Sequence, residues 1–136
     1  SRRVISEKAA RQTTRMMEAV TDLEEGTAPG AAITGYRVAG KTGTAHKSTS
    51  EGYAEDRYLS LFAGLAPASD PQLVLVVMID EPQGGAHYGG QVAAPVFARV
   101  MQGAVRILDI PPDDLPAAGE GLLMAGRHRA SGDQVR

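Results

Sequence analysis

Two strand-like runs and the short turn between them decide the fold. The sequence reads YLSLFAGLA at residues 58–66, PASDP at residues 67–71 and LVLVVMI at residues 73–79. So short a connection predicts an antiparallel hairpin, because parallel strands need a crossover of a dozen or more residues. The second run is apolar at every position, so we expect a central strand with helices covering both of its faces.

Two helices are predicted to flank this sheet. Apolar residues recur at helical spacing over residues 6–25, with Ser6 as N-cap and Gly26 as the stop. A second helix is predicted over residues 92–108, where two neighbouring rows form a wide apolar stripe that should pack across the sheet. The rows are Val92, Val96, Val100, Ala104 and Leu108, and Ala93, Phe97, Met101 and Val105. The pattern predicts an α+β fold, an antiparallel sheet flanked by helices.

The remaining segments are predicted to be a short strand, a loop and a tail. Residues 36–44 are typical of a short strand, and residues 46–57 are polar without an apolar period, which favours a mobile surface loop. Asp109 and two prolines should end the second helix, and the sequence after residue 116 shows neither helical nor strand period. We therefore expect a domain segment at residues 1–116 and a flexible tail at residues 117–136.

Composition excludes several classes of function. The 136 residues are 43% hydrophobic and 22% charged, and the net charge is −2. Such a chain can bury one core, but it lacks the positive field that nucleic acid selects, so we expect no nucleic-acid partner. There is no cysteine, and His46, His87 and His128 have no ligand-like spacing, so no metal site is predicted. The chain begins at Ser1 without a long apolar segment, and we expect a piece of a longer protein.

One motif supports a nucleotide-binding interpretation. Residues 35–42, GYRVAGKT, satisfy G-x-x-x-x-G-K-[ST], and VVMID at residues 76–80 could supply a Mg²⁺ aspartate. A phosphate loop needs a strand before Gly35 and a helix beginning at Lys41, because the helix N-terminus binds the phosphates. The flanking sequence favours neither element, so a P-loop protein is kept only as the alternative.

Lys41, Thr42 and Gly43 also match the K-T-G motif of serine acyl transferases. In those enzymes the motif lies on a strand beside the nucleophile. Lys41 supplies positive charge and proton donors, while Thr42 and Thr44, two apart on a strand, can present hydroxyls to one ligand. Gly43 leaves room for a substrate to pair with the strand. A backbone N–H just past this glycine can stabilise an oxyanion.

The wider sequence resembles the C-terminal part of a penicillin-binding protein transpeptidase domain, closest to the division-specific class B type. The resemblance covers roughly residues 5–116, and it rests on five runs. These are GYRVAGKTGTA (35–45), SLFAGLAP (60–67), VVMIDEP (76–82), YGG-x-x-AAPVF (88–97) and IPPDDLP (110–116). The resemblance implies the serine β-lactamase-like transpeptidase fold.

The resemblance also implies roles for individual residues. Lys41 would hold the hydrogen-bond network of the catalytic Ser and Lys. Thr42 and Thr44 would hold the carboxylate of a peptide or a β-lactam, and the Thr44 amide would be half of the oxyanion hole. Three further residues would wall the substrate side, and no metal or organic cofactor is implied. These wall residues are Tyr58, His87 and Tyr88. His46 and His87 stand where close relatives often carry other residue types.

The chain carries only part of the motif set that this activity needs. No serine is followed by Lys three residues later, so the S-x-x-K motif is missing; the serines are at positions 1, 6, 48, 50, 60, 69 and 131. The S-x-N motif is missing too, because the chain contains no Asn. We expect these 136 residues to be inactive alone and to need the rest of the domain.

The complete protein implied by the resemblance is a septal peptidoglycan D,D-transpeptidase and β-lactam target. Its substrate would be a D-Ala-D-Ala stem peptide, and its partners would include cell-division proteins. It would work at the periplasmic face of the inner membrane, with its anchor outside this chain. A serine β-lactamase or a non-catalytic β-lactam sensor is the other alternative.

Overall fold

Three antiparallel strands form one sheet in the order in which they follow each other along the chain. They are β1 (Ala39–Thr49), β2 (Gly52–Ala66) and β3 (Leu73–Asp80). The computed structural model describes residues 3–50 and 52–115. Phe62 of β2 lies opposite Thr42 on one side and Val77 on the other, so the predicted antiparallel hairpin is confirmed. The predicted tail at residues 117–136 lies outside the described residues.

The first helix, α1 (Glu7–Glu18), is shorter than the apolar spacing predicted. It begins where expected, because the Ala9 N–H donates to the Ser6 hydroxyl oxygen at 3.1 Å. A single 3₁₀ turn, Ala19–Thr21, follows it. The prediction that the helix reaches residue 25 is wrong because the Asp22 carboxylate accepts the next backbone N–H groups, those of Glu24 and Glu25, at 2.9 and 2.8 Å.

In place of the second predicted helix, the structure has two helices, α2 (Gly89–Val92) and α3 (Ala94–Ile107). A separate 3₁₀ turn, Pro29–Ala31, lies between α1 and β1. As predicted, α3 packs on the sheet. The Phe97 ring meets Phe62 edge-on, with centroids 4.8 Å apart. Only one of the two predicted apolar rows is buried, however, because the sheet covers a single side of the helix. Val96 and Val100 of the other row are exposed.

Residues 46–57 were predicted to form a surface loop, but residues 46–49 and 52–57 instead continue two strands. Ser48 pairs with Tyr53 and Thr49 with Gly52, whose φ of 126° suits glycine at the turn. β1 accordingly begins at Ala39 and runs past residue 44, in place of the predicted range 36–44. The prediction failed because most of this ribbon faces solvent, so backbone pairing holds it without an apolar alternation. Its mobility stays a prediction.

β3 is covered on one face only, against the prediction that helices cover both. It is an edge strand of the described sheet, and alternate residues from Leu73 to Ile79 pack towards the core. The intervening side chains are exposed: Val74, Val76 and Met78, at 74%, 59% and 62%. A row of apolar side chains of this size on an exposed sheet face is typical of an interaction surface.

The segment after α3 closes over the entry to β1. The Asp113 carboxylate accepts the backbone N–H groups of Arg37 at 2.7 Å and Ser69 at 3.1 Å, and the Tyr36 hydroxyl donates to the Ile110 carbonyl at 2.6 Å. Burial acts to raise the pKa of Asp113, but the hydrogen bonds from Ser69 and Arg37 outweigh it and hold that pKa below its usual value. These bonds tie the chain's last described turn to both ends of the sheet's first hairpin.

We expect Asp113→Asn in the full-length protein to lower the free energy of unfolding by about 1 kcal/mol at neutral pH, because charge-assisted hydrogen bonds are lost. A carboxyl whose pKa is depressed by folding stabilises the fold above its unfolded pKa, and this stabilisation is lost as pH falls through the folded value. The difference between the two proteins should therefore shrink below about pH 4. Chemical denaturation across pH measures this, with Asp114→Asn as the control. An equal loss in both variants would contradict this stabilising role of Asp113.

Candidate active site

The alternation of β1 divides the predicted site residues between the two faces of the sheet. A Cβ built on Gly40 would lie 2.4 Å from the Phe62 ring, whereas one on Gly43 would lie 3.4 Å from the Leu61 Cβ. Thr42 and Thr44, even-numbered like Gly40, therefore share the face that carries Phe62 and α3, which we call the helix face. Lys41 and Gly43 belong to the opposite face with Leu61, which we call the open face.

Lys41 is exposed on the open face. Its ammonium donates to the Thr42 carbonyl oxygen at 2.8 Å. Within residues 3–50 and 52–115 it forms no ion pair, so its charge is not neutralised by a carboxylate there. A strand-borne cation in this state is able to attract an anion or organise a neighbouring hydroxyl.

Thr44 on the helix face is held by the start of α2. The Gly89 N–H donates to the Thr44 hydroxyl oxygen at 3.1 Å. Only glycine fits here, since a Cβ on Gly89 would lie 2.1 Å from the Leu61 carbonyl oxygen and 2.5 Å from that of Gly43. The Thr44 hydroxyl thus accepts from the backbone and keeps its own hydrogen for a ligand.

Four aromatic rings stack beside Thr44, and we call them the ring stack: His46, Tyr58, His87 and Tyr88. The His46 and Tyr58 centroids are 4.5 Å apart, Tyr58 and His87 are nearly parallel at 4.1 Å, and His87 and Tyr88 are 4.5 Å apart. The structure therefore brings together the three predicted wall residues. It also adds His46, to which the sequence analysis assigned no role in the site.

Hydrogen bonds fix the ring stack to the sheet. Ser60, the one fully buried polar side chain in the described part of the chain, donates its hydroxyl to the His87 carbonyl oxygen. His46 Nδ1 lies 2.8 Å from the Ala54 carbonyl oxygen, and the Tyr58 hydroxyl donates to the Glu55 carbonyl at 3.2 Å. The stack is thus anchored on β1, on β2 and on the loop before α2.

A cluster of ion pairs joins β1 to the end of β3. The Lys47 ammonium lies 2.8 Å from Asp80 and 2.7 Å from Glu81, and hydrogen bonds with Asp80 and Glu81 hold the pKa of Lys47 above its usual value. Arg57 approaches Glu81 to 3.9 Å. Sequence reasoning missed Ser60 and Lys47, because their partners come from loops whose path no local pattern indicates. The two-residue spacing of Thr42, Thr44 and His46 was a usable signal for His46.

The nucleotide-binding alternative is wrong. Lys41 lies within strand β1 and not at the start of a helix, so the backbone donors that cradle phosphates are not assembled. The three strands are antiparallel, and Asp80, the supposed Mg²⁺ ligand, pairs with Lys47. Across the described ranges there is also no group of three potential metal ligands, and no helix has the length and apolarity to cross a membrane.

Comparison with known proteins agrees with this geometry. Residues 1–102 match the model of the penicillin binding protein transpeptidase domain. The chain belongs to this family. Among curated transpeptidases, it is 48% identical over 114 residues to the probable peptidoglycan D,D-transpeptidase PbpC of Pseudomonas aeruginosa, a match covering 84% of the chain and 20% of the relative. It is 42% identical over 130 residues to the peptidoglycan D,D-transpeptidase FtsI of Escherichia coli, covering 96% of the chain and 22% of the relative.

Solved transpeptidase structures share the fold. The apo transpeptidase domain of Burkholderia pseudomallei penicillin-binding protein 3 superposes with a TM-score of 0.76 at 43% identity, over 85% of this chain and 34% of that one. Mycobacterium tuberculosis penicillin-binding protein 3, in complex with ampicillin, gives 0.72 at 32% identity, over 86% and 27%. The chain therefore spans about a fifth of the length of its curated transpeptidase relatives and about a third of a solved domain.

We expect Gly89→Ala in the full-length protein to lower the free energy of unfolding by about 3 kcal/mol and to abolish penicillin labelling, because the new methyl group meets two backbone carbonyls. Gly103→Ala is the matched control. It lies in α3 with no atom within 4 Å of the added Cβ, and it should raise stability by about 0.5–1 kcal/mol. Thermal unfolding and labelling measure both. Equal behaviour of the two variants would contradict the close approach at Gly89.

Proposed function

We propose that this chain is the C-terminal part of a peptidoglycan D,D-transpeptidase and supplies its K-T-G-T strand. The observation that carries the proposal is the arrangement around β1. Lys41 is uncompensated on the open face, Thr44 is held at Gly89 on the helix face, and the ring stack stands beside Thr44. Family membership and the names of the relatives support the same activity.

The substrate strand would add to the outer edge of β1. Within the described residues β1 pairs only with β2, so one row of its backbone N–H and C=O groups is available to a peptide. We propose that Thr42 and Thr44 share the carboxylate of the ligand and that the Thr44 N–H stabilises the acyl oxygen. Gly43 between them carries no side chain that would obstruct the approaching peptide.

The nucleophile would come from the part of the domain that carries S-x-x-K. We propose that this part, with the S-x-N segment, covers the open face, where Val74, Val76 and Met78 are exposed beside β2. Covering this face would remove the exposed apolar row from water and would bring Lys41 next to the serine. The lysine charge would then organise the serine hydroxyls in a less polar environment, where it acts more strongly.

The reaction would be an acyl transfer in two steps. The serine oxygen attacks the carbonyl carbon of the penultimate D-Ala and forms an ester, while the peptide C–N bond breaks. The serine proton passes to the departing nitrogen, and the terminal D-Ala leaves as the free amine. The amine of a second stem peptide then attacks the ester, which releases the serine hydroxyl and forms the cross-link. A β-lactam would acylate the same serine by opening its ring, and no cofactor is required.

We further propose that the whole protein cross-links septal peptidoglycan at the periplasmic face of the inner membrane. Its partners would be cell-division proteins, and its anchor would lie outside this chain. The resemblance to division-specific class B proteins supports this setting. A β-lactamase or a non-catalytic sensor would also bind β-lactams, but a β-lactamase releases the hydrolysed drug rapidly and a sensor makes no cross-links.

We expect Thr42→Ala and Thr44→Ala in the full-length protein to slow acylation by benzylpenicillin by about ten- to hundredfold each, because a charge-assisted hydrogen bond to the carboxylate is lost. Lys41→Ala should slow it further, since the lysine charge organises the serine network that carries out the acylation. Stopped-flow acylation rates measure this, and the isolated 136-residue chain, which lacks S-x-x-K, should remain unlabelled. An unchanged rate in Lys41→Ala with severe loss in both threonine variants would contradict these roles.

Cross-linking of stem peptides by the same preparation separates the alternatives. A transpeptidase forms the peptide cross-link and holds the penicilloyl group for a long time. Rapid release of hydrolysed benzylpenicillin would favour the β-lactamase alternative. A stable penicilloyl adduct without cross-linking would favour the sensor.

A further inference from the structure

A row of cations lies along one face of α1, away from the candidate active site. Lys8, Arg11 and Arg15 are three and four residues apart, so their side chains project from the same side of the helix. All three are exposed. At 1.5 Å of rise per residue, the row is about 10 Å long.

A groove runs beside this row, and we call the row and the groove together the basic groove. It consists of two adjoining cavities of about 470 and 540 Å³, and both have Arg11 and Arg15 in their walls. The second cavity continues to the turn between β2 and β3, at residues 68–71. Each cavity has the volume of an ordinary ligand site.

Hydrogen bonds hold the two walls of the basic groove in place. The Ala68 N–H, in the turn after β2, donates to the Arg37 carbonyl at 2.8 Å. The Arg37 guanidinium in turn donates to both carboxylate oxygens of Glu18, at 2.9 and 3.0 Å. Because Glu18 is the last residue of α1, these bonds fix the helix relative to the turn.

The basic groove has more cations than its own carboxylates neutralise. The carboxylates in its walls are those of Glu7, Glu18 and Asp70. Glu7 pairs with Arg11 and Glu18 with Arg37, while Asp70 accepts a hydrogen bond from the Gln72 amide at 3.0 Å. Among the residues that the structure describes, Lys8 and Arg15 form no ion pair. On a chain of net charge −2, two cations are thus left for an anionic ligand.

The shape and the charge of the basic groove favour a peptide. Its three carboxylates repel a densely charged polyphosphate, and its concave walls do not match a flat lipid surface. In an extended peptide, alternate side chains point the same way about 7 Å apart, so three or four residues cover the 10 Å row. An arginine guanidinium binds a carboxylate through two parallel hydrogen bonds, which suits Asp and Glu side chains.

The basic groove and the candidate active site lie at different ends of β1. Arg37 precedes the strand, and Ala39, its first residue, is five residues from Thr44. Five residues of strand span about 17 Å. A peptide bound beside Arg15 therefore does not have to displace a ligand at Thr44.

We propose that the basic groove docks an acidic peptide segment of a partner protein, in an extended conformation with carboxylates on alternate residues. Lys8 and Arg15 bind two of these carboxylates, and the backbone of the segment follows the groove between α1 and the β2–β3 turn. This surface holds a partner beside the enzyme, and the inference does not depend on the proposed function.

Two synthetic peptides that differ only in charge test the proposal on the full-length protein, held in nanodiscs of phosphatidylcholine. The probe is acetyl-(Gly-Glu)₄-amide, and the reference is acetyl-(Gly-Gln)₄-amide. Isothermal titration calorimetry measures both. We expect the glutamate peptide to bind about tenfold more tightly than the glutamine peptide at low salt, and to lose this advantage as NaCl is added.

Variants locate the binding surface. Lys8→Gln combined with Arg15→Gln should raise the Kd of the glutamate peptide about tenfold, since each exposed ion pair contributes about three- to fivefold. Arg99→Gln combined with Arg106→Gln removes the same charge from exposed positions of α3 and should leave this Kd unchanged. Lys8→Glu combined with Arg15→Glu should reverse the preference, so that acetyl-(Gly-Lys)₄-amide binds instead. Thermal unfolding checks that every variant is folded.

Three results would overturn the inference. The first is a wild-type protein that does not prefer the glutamate peptide. The second is an equal rise in Kd in the α1 and α3 glutamine variants, which would show a general effect of charge. The third is binding to phosphatidylglycerol vesicles through Lys8 and Arg15 without binding of the glutamate peptide, which would make this face a membrane contact.

Discussion

The close backbone approach at Gly89 is the constraint on which the rest of the candidate site depends. Its Cα lies so near the carbonyls of Leu61 and Gly43 that no side chain fits, and its N–H bonds to the Thr44 hydroxyl. This contact joins the start of α2 to both β1 and β2. Because His87 and Tyr88 immediately precede Gly89, the same contact carries their rings to Tyr58. The wall beside β1 therefore follows from one glycine and the two strands it touches.

The strand alternation of β1 separates two kinds of chemistry. The helix face carries the hydroxyls and rings, which are positioned by α2 and Ser60. The open face carries Lys41 among apolar side chains that water still reaches. Under the proposed function, one strand would bind a ligand carboxylate with one side and organise a nucleophile with the other.

Local sequence predicted the elements that depend on local chemistry. The Ser6 cap, the β2 and β3 hairpin and the row of α3 that includes Phe97 are examples, because capping, turn length and helical period are short-range properties. The strand pairing of residues 46–49 with residues 52–57 was missed because a solvent-exposed pair of strands needs no apolar pattern. The prediction that both faces of β3 are covered was wrong because the described residues cover only one of them. The other face carries Val74, Val76 and Met78, which are apolar but exposed. The spacing of His46 from Thr42 and Thr44 indicates a shared strand face, but its contact with Tyr58 depends on a register that the sequence does not specify.

The central claim is that a ligand binds along the outer edge of β1 with its acyl oxygen at the Thr44 N–H. A crystal structure of the full-length protein acylated by benzylpenicillin measures this most directly. The account predicts the acyl oxygen within about 3 Å of the Thr44 nitrogen and the ligand carboxylate at the Thr42 and Thr44 hydroxyls. A penicilloyl group whose oxygen meets no donor from β1 would contradict it.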